Sequence, residues 1–311
     1  MSERFGIVIV NYNTFEETCA CINSIKKHSN ADFHIYIVEN GSRQEIKNKI
    51  INNFCNDELT TIINLNSNLG YSAGNNKGIQ KAIEDGVDYI LIANSDIEFY
   101  NNVLEILKTS LTQNVVISGP KITNLDNVDG QQLIKTYSTF SALIDRVPFY
   151  YLKKYLGIKL LKADKYLTPI SFFGMVQGSC FLIKSRTFQE LEFFDDNVFL
   201  YSEERILSIK LKNRNWKVCY NPNAQILHKE GQSTKKEGNP FADYHRYASD
   251  YYTIVKYCKS GLLEKRLIRF LREFNFWLKS IKNNDYKPFF IKLKNKYDEI
   301  EKGIYKISSG I

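Results

Sequence analysis

No stretch of the 311 residues approaches the run of about 20 apolar positions that a helix needs to cross a bilayer. Met1 to Val10 has neither a basic leader nor the long apolar core of a signal peptide, so neither secretion nor membrane spanning is expected. The six cysteines, Cys19, Cys21, Cys55, Cys180, Cys219 and Cys258, lack the paired spacing of a zinc site and the density of a disulfide scaffold. They read as buried or incidental thiols of a reducing cytoplasm. No Gly-Lys-Ser/Thr follows a glycine-rich loop and no G-x-G-x-x-G follows the first apolar run, which argues against kinases, ATPases and dehydrogenases. Internal repeats, low-complexity segments and nucleic-acid reader motifs are also missing.

What remains is the composition of a packed protein, with 43% hydrophobic, 24% charged and 14% aromatic residues. The length suits two domains, or one large α/β domain with an appendage. Lysine and arginine total 42 against 34 acids, a formal charge of +8. Gly261 to Ile311 holds 12 of the basic and 6 of the acidic residues, a local +6 that leaves +2 for the rest. The basic character is a property of the tail and points to an anionic partner there.

Short Ile- and Val-rich runs, FGIVIV, HIYIVE, LTTIINL, YILIAN and VVISGP, alternate with the helix-compatible stretches Phe15 to His28, Gln44 to Phe54, Asn75 to Glu84 and Asn102 to Leu111. This rhythm predicts an α/β fold with a doubly wound sheet, whose ligands bind beyond the carboxyl ends of the strands. Those ends are polar: Asn11-Tyr12-Asn13, Glu39-Asn40-Gly41-Ser42, Asn66 to Gly70, and Asn94-Ser95-Asp96. Each alone suits a turn or helix cap. Four in succession favour a shared polar ligand such as a nucleotide, lying across Asn11, Glu39, Asn68 and Asp96. Leu125 to Gln132 reads as loop, Leu143 to Leu167 as a helical or mobile insertion, and FFGMVQGSCFLIKS as two strand pieces around Gly178-Ser179. Glu203 to Arg214 has helical spacing, and WKVCY and AQILH read as two strands parted by an Asn-Pro-Asn turn.

VIVNYN, VENGS, NLGYSAGNN, NSD, QGSCFLIK, FLYSEERILSIKLKNRNWKV and QILHKEGQS, in that order, resemble the ordered motifs of family-two glycosyltransferases, the inverting enzymes with the GT-A fold, over roughly Phe5 to Ser233. The resemblance implies a GT-A-type, Rossmann-like nucleotide-binding sheet with a helical C-terminal extension. It implies a rhamnosyl-, galactosyl- or glucosyltransferase-like bacterial enzyme. The catalytic domain would be 1–238, with a nucleotide-sugar half over about 1–122 and an acceptor half over about 170–238, and 239–311 would form a basic amphipathic helical region. Nucleotide contacts fall on Asn11, Asn13, Glu39, Asn40, Ser42, Asn68, Gly70, Asn75, Asn94 and Ser95, and acceptor-side contacts on Gly178, Ser179 and Tyr201. Asp96 stands where the family holds Mn2+ or Mg2+, and His228 is a further ligand of that ion or, alternatively, a structural histidine. Glu204 aligns with the second acid of the family's E-D pair and is the expected base, with Glu203 the alternative.

The sequence also departs from the family. The D-x-D is reduced to Asn94-Ser95-Asp96, Glu39 replaces the usual Asp, and the last acid of E-D-x-D becomes Ile206. The Q-x-x-R-W of processive members is missing, which implies a nonprocessive enzyme. The expected partners are a UDP- or dTDP-linked sugar and a glycan or lipid-linked acceptor, with surface polysaccharide synthesis as the setting. A catalytically silent nucleotide-sugar-binding scaffold is the rival. In the tail, Leu263, Leu267, Leu271, Phe274, Leu278 and Ile281 recur at three- and four-residue spacing among Lys265, Arg266, Arg269, Arg272, Lys279 and Lys282. That pattern fits a helix packed on the catalytic domain or in a homodimer. It equally fits a helix on an anionic membrane surface, which would place a cytoplasmic protein at the inner face of the plasma membrane.

Overall fold

The computed structural model describes residues 3–125, 130, 132–145, 161–229 and 239–308. The first half alternates β1 (Arg4–Asn11), α1 (Phe15–His28), β2 (Asp32–Asn40), α2 (Gln44–Phe54), β3 (Thr60–Leu65), α3 (Tyr71–Glu84) and β4 (Tyr89–Asn94). Then come β5 (Ile97–Phe99), α4 (Val103–Lys108) and β6 (Val115–Thr123). Strands β1 to β4 pair in parallel, in the order β3-β2-β1-β4. Both faces of β1 are apolar because both are covered: Phe5, Ile7 and Ile9 enter one core layer with Cys21, Ile22 and Ile25 of α1, and Val8 enters the other with Ile79 and Ala82 of α3. Helix α3 starts at Tyr71, four residues before the expected Asn75, because Gly70 supplies the left-handed turn (φ 87°) that launches it.

Beyond β4 the sheet continues through β11 (Cys180–Lys184), β6, β12 (Lys217–His228) and β5, with β9 (Ile170–Phe172) also paired to β12. Strand β11 runs antiparallel between β4 and β6, so its first residue starts beside the carboxyl end of β4, with Cys180 opposite Ala93. The expected pair of strands WKVCY and AQILH is one strand, β12. Its partner β6 runs on unbroken, and the Asn-Pro-Asn segment is taken up as an irregularity between Asn221 and Gln225. A small sheet joins β7 (Gln132–Lys135), β8 (Leu161–Lys162) and β10 (Gly174–Met175). Most of the expected Leu143 to Leu167 insertion lies outside the described residues.

The remaining α-helices among the described residues are α5 (Thr139–Asp145), α6 (Ser185–Glu190), α7 (Glu203–Asn213), α8 (Pro240–Tyr257), α9 (Leu262–Lys282) and α10 (Tyr286–Glu301). A third core joins α7 to the C-terminal helices through Ile206, Tyr247, Tyr251, Phe276 and Tyr297, all buried. Helix α9 is amphipathic as expected, but its inward face is Ile268, Arg272, Phe276 and Ser280. Leu263 (80% exposed), Leu267 (50%), Phe270, Phe274, Trp277 and Ile281 form a stripe that faces out. Three of the basic residues expected on an anionic surface turn inward to acids instead: Arg269 to Glu273, Asp298 and Glu301, Arg272 toward Asp250, and Lys279 to Asp243. No helix among the described residues is long and apolar enough to cross a membrane.

This inside-out assignment has a direct consequence for stability. Phe276→Ala is expected to cost about 3–5 kcal/mol by loss of burial and creation of a cavity. Leu267→Ala, on the outward stripe, should stay within about 0.5 kcal/mol of the parent. Urea unfolding of the two variants checks the face, and equal losses would reverse it.

Candidate active site

The carboxyl ends of β1, β2 and β4, the loop after β3, the start of β11 and the start of α7 enclose one cleft of about 950 Å³. Of the residues singled out in the sequence, Asn40, Asn68, Gly70, Asn75, Asn94, Ser95, Asp96, Gly178, Ser179, Tyr201, Glu203, Glu204 and His228 line it. Asn11, Asn13, Glu39 and Ser42 do not. Glu39 is fully buried behind the wall, where its carboxylate accepts from Asn11 Nδ2 (2.5 Å), Ser42 N (2.6 Å) and Ser42 Oγ (2.8 Å). Asn13 N donates to the same Ser42 hydroxyl (2.9 Å). Glu39 is thus folded between the end of β1 and the loop after β2, and the neutral amides of Asn40 and Asn68 line the cleft. Asn40 Nδ2 donates to Asn68 Oδ1 (3.1 Å) and to Gly70 O (3.2 Å), which ties the third loop to the second strand.

Sheet register assembles the candidate metal pair. His228, last in β12, lies opposite Ile97 of β5, next to Asp96, and its Nε2 is 3.1 Å from Asp96 Oδ1. Two neighbouring ligands of one ion held at about 2.1 Å lie about 3 Å apart, so this carboxylate and imidazole have the spacing of adjacent ligands. No cluster of three or more His, Cys, Asp or Glu that could hold a metal occurs among the described residues. The pair therefore fits a hard divalent ion that draws its other ligands from phosphate and water, as magnesium-type sites do. His228 Nδ1 is buried without a partner among the described residues, so no acceptor there fixes the ring tautomer for metal binding.

The acid pair lines the same cleft from a strained turn. Tyr201 (φ 68°) and Ser202 (φ 72°) are both left-handed without being glycine, and Glu203 and Glu204 form the first turn of α7 immediately after them. Gly178 N donates to Glu204 Oε1 (3.1 Å), and a Cβ on Gly178 would come within 2.5 Å of that oxygen, so only glycine leaves the carboxylate room. Tyr71 Oη donates to Gly178 O (2.7 Å) and braces the same turn. Gly70 is constrained as tightly, since a Cβ there would lie 2.2 Å from Phe199 O. Burial raises the proton affinity of Glu203 well above the usual carboxylate range, and the neighbouring Glu204 raises it further. Burial also raises Glu204, against the lowering effect of its backbone hydrogen bonds and of Arg205.

A cleft at the carboxyl edge of such a sheet, lined by a carboxylate–imidazole pair and by two neighbouring acids, is the setting in which comparison with known proteins is informative. The family model described as glycosyl transferase family 2 matches residues 6–178. The chain belongs to glycosyl transferase family 2. This glycosyltransferase is 23% identical over 206 residues to a low-salt glycan biosynthesis hexosyltransferase of Haloferax volcanii, covering 66% of this chain and 60% of that one. It is 22% identical over 263 residues to an N-acetylglucosaminyl-diphospho-decaprenol L-rhamnosyltransferase of Mycobacterium tuberculosis, covering 79% and 83% of the two chains. Among solved structures, GalNAc-T7 with UDP, GalNAc and Mn2+ superposes with a TM-score of 0.59 at 14% identity, over 81% of this chain and 48% of that one. A mannosyltransferase from Pyrobaculum calidifontis with GDP-Man and Mn2+ gives 0.54 at 10% identity, over 98% and 87%. These likenesses show the GT-A fold.

The family match ends at Gly178, before the acid pair, so part of the cleft lining, including Glu203, Glu204 and His228, comes from sequence outside it. Sequence inspection missed Tyr12, Thr14, Glu17, Ser67, Tyr71, Gln177, Phe199, Leu200 and Phe241 in the lining. Tyr12, Ser67 and Tyr71 stand beside recognised polar residues and were within reach. Phe241 arrives from α8, and nothing in its sequence neighbourhood marks it.

Because Glu203 binds its proton more tightly folded than unfolded, its contribution falls as pH rises from about 4.5 toward its raised folded value. Glu203→Gln removes that term. Melting temperatures of variant and parent are expected to converge near pH 4.5 and to separate by pH 8 with the variant higher. A variant that is less stable at pH 8 than at pH 4.5, relative to the parent, would show that Glu203 is charged in the fold.

Proposed function

We propose that the protein is an inverting, nonprocessive glycosyltransferase that moves one sugar from a nucleoside diphosphate, UDP- or dTDP-linked, to a hydroxyl of a glycan or lipid-linked saccharide in the synthesis of a bacterial surface polysaccharide. The observation that carries this is that Asp96 and His228, 3.1 Å apart, line the same cleft as Glu203 and Glu204. The relatives support the donor and acceptor classes: one structural neighbour holds GDP-Man, and one curated relative is named for a diphospho-decaprenol acceptor.

In this reading the nucleotide lies along Asn40, Asn68, Asn94 and Ser95, with its diphosphate at Asp96 and His228. A divalent ion held there, Mn2+ or Mg2+, supplies positive charge to the departing diphosphate. Glu204 is the base: its carboxylate takes the proton of the acceptor hydroxyl as that oxygen bonds to the anomeric carbon from the face opposite the diphosphate. The bond from sugar to diphosphate breaks with its electron pair leaving on phosphate, and configuration inverts. Glu204 is favoured over Glu203 because it is only partly buried and is aimed by Gly178 N, whereas Glu203 is buried with Oε2 unpartnered among the described residues. The expected division into a catalytic region over 1–238 and a helical region over 239–311 is retained as part of this proposal.

Glu204→Gln preserves shape and should keep nucleotide affinity while losing turnover by about 10²–10⁴-fold. Asp96→Ala should remove most metal-supported turnover, and His228→Ala a smaller part, since the anionic ligand carries most of the attraction. A panel of nucleotide sugars with and without chelator provides the assay. Tight binding with no turnover on any donor would instead establish the silent scaffold.

The outward stripe of α9 is the surface we propose for docking on an anionic membrane, where a lipid-linked acceptor would reside. Support comes from Phe270, Phe274 and Trp277 standing exposed among leucines, with Arg266 and Lys282 exposed at the border. With Arg269, Arg272 and Lys279 turned inward, insertion of apolar side chains dominates, so sedimentation with phosphatidylglycerol-containing vesicles should weaken only modestly with salt. Leu267→Glu with Phe274→Glu should abolish it. A protein that ignores vesicles and dimerises through this stripe would reverse the assignment.

A further inference from the structure

The acid pair depends on a helix that lies outside the segment matched to the family. Asp250 of α8, 1% exposed, accepts from Ser202 Oγ (2.8 Å) and from Arg205 Nη1 (2.8 Å), so one carboxylate grips the residues on either side of Glu203 and Glu204. Its second oxygen faces Arg272 Nη2 of α9 at 3.9 Å, and Arg272, fully buried, donates to Tyr137 Oη (3.2 Å). The ring of Tyr137 in turn lies 4.4 Å from the Arg205 guanidinium. One residue earlier, Ser249 Oγ donates to Leu200 O (2.9 Å), which holds the approach to the turn. Farther along α8, Tyr252 and Tyr257 donate to Asp195 at the start of the same segment, both at 2.5 Å.

A left-handed Ser202 is strained and persists only where its surroundings over-determine it. A buried, doubly bonded carboxylate provides that determination, because charge-assisted hydrogen bonds are about twice as strong as neutral ones. We propose that Asp250 is a positioning residue that locks the Tyr201–Ser202 turn and thereby aims Glu204 into the cleft. This rests on the assignment of Glu204 as base. Asp250 also neutralises Arg205, the cation next to Glu204. Among the described residues, the Tyr71 hydroxyl and Gly178 N also face the pair, and each carboxylate faces the other.

Asp250→Asn is the test, with Ser202→Gly as its suppressor. Asparagine keeps the size but loses the charge that binds Arg205, so the turn should open. Hydrogen exchange of the 199–206 segment should rise with the rest of the chain unchanged. Turnover should fall about 10–100-fold with donor KM unaltered, and the acidic limb of the rate profile should move to lower pH because Arg205, with the Asp250 charge beside it removed, favours ionised Glu204 more strongly. Glycine adopts positive φ without strain, so Asp250→Asn with Ser202→Gly should recover much of the lost rate. A merely structural role would lower the melting temperature of both variants alike and give no recovery by glycine, and that result would overturn the proposal, as would unaltered exchange at 199–206. Failure of the base assignment is distinguishable: Glu204→Gln would be fully active, while the exchange change in Asp250→Asn would still appear.

Discussion

Two neighbouring carboxylates kept largely dry at the mouth of a helix are the constraint that organises this molecule. Glu203 and Glu204 repel one another, burial penalises the charge of both, and the turn that presents them places two non-glycine residues in left-handed backbone. None of this is stable by itself. It is held because Gly178 gives Glu204 an N–H and space, Tyr71 fixes Gly178, and the buried ions of α8 and α9 grip the turn from behind. The C-terminal helices are thus more than cover for an apolar face, since a site residue, Phe241, and the grip on the acidic turn both come from α8.

Electrostatics at the base of that grip runs opposite to that of the acids it supports. Burial opposes ionisation of Asp195, but hydroxyls from Tyr252 and Tyr257 and two donors from Asn197 hold it down at about 2. Its contribution to stability is therefore present above about 3.8 and is lost as pH falls toward 2. Fully satisfied carboxylates serve as anchors, and an unsatisfied one, Glu203, is left where protonation is easy. The contrast is a matter of hydrogen-bond donors: Asp195 meets several, and Glu203 Oε2 meets none among the described residues.

The sheet was legible because burial on both faces leaves an unmistakable run of Ile and Val, and the expected bounds of α1 and α2 match the observed ones. The cleft lining was legible where a polar residue follows such a run, as at Asn94 to Asp96. It was not legible at Glu39, which follows the same rule as its neighbours yet folds inward onto Asn11 Nδ2 and Ser42. Strand β12 was misread because Asn-Pro-Asn ordinarily ends a strand, and only the unbroken partner β6 overrides it. The inward face of α9 was beyond sequence periodicity, since leucine and phenylalanine stand on both sides of the helix and buried arginine, at Arg272, occupies the place expected of an apolar residue.

The inward turn of Glu39 also bears on the charge of the cleft. What faces the ligand along β2 and the third loop is amide, and the titratable lining groups described are Glu17, Asp96, Glu203, Glu204, His228 and the phenols of Tyr12, Tyr71 and Tyr201. No lysine or arginine is among the described lining residues. In the proposed reading, a diphosphate entering such a cleft would meet the carboxylate of Asp96, a group of its own sign, at short range, where low dielectric magnifies the repulsion. Hydrogen bonds from asparagine and serine orient phosphate without neutralising it. In the proposed reading a cation arrives with the nucleotide, and Asp96 with His228 is the one carboxylate–imidazole pair in the described lining spaced to receive it. On that proposal a single anionic ligand would make the site weak when empty and strong when phosphate completes it, which would couple metal binding to donor binding.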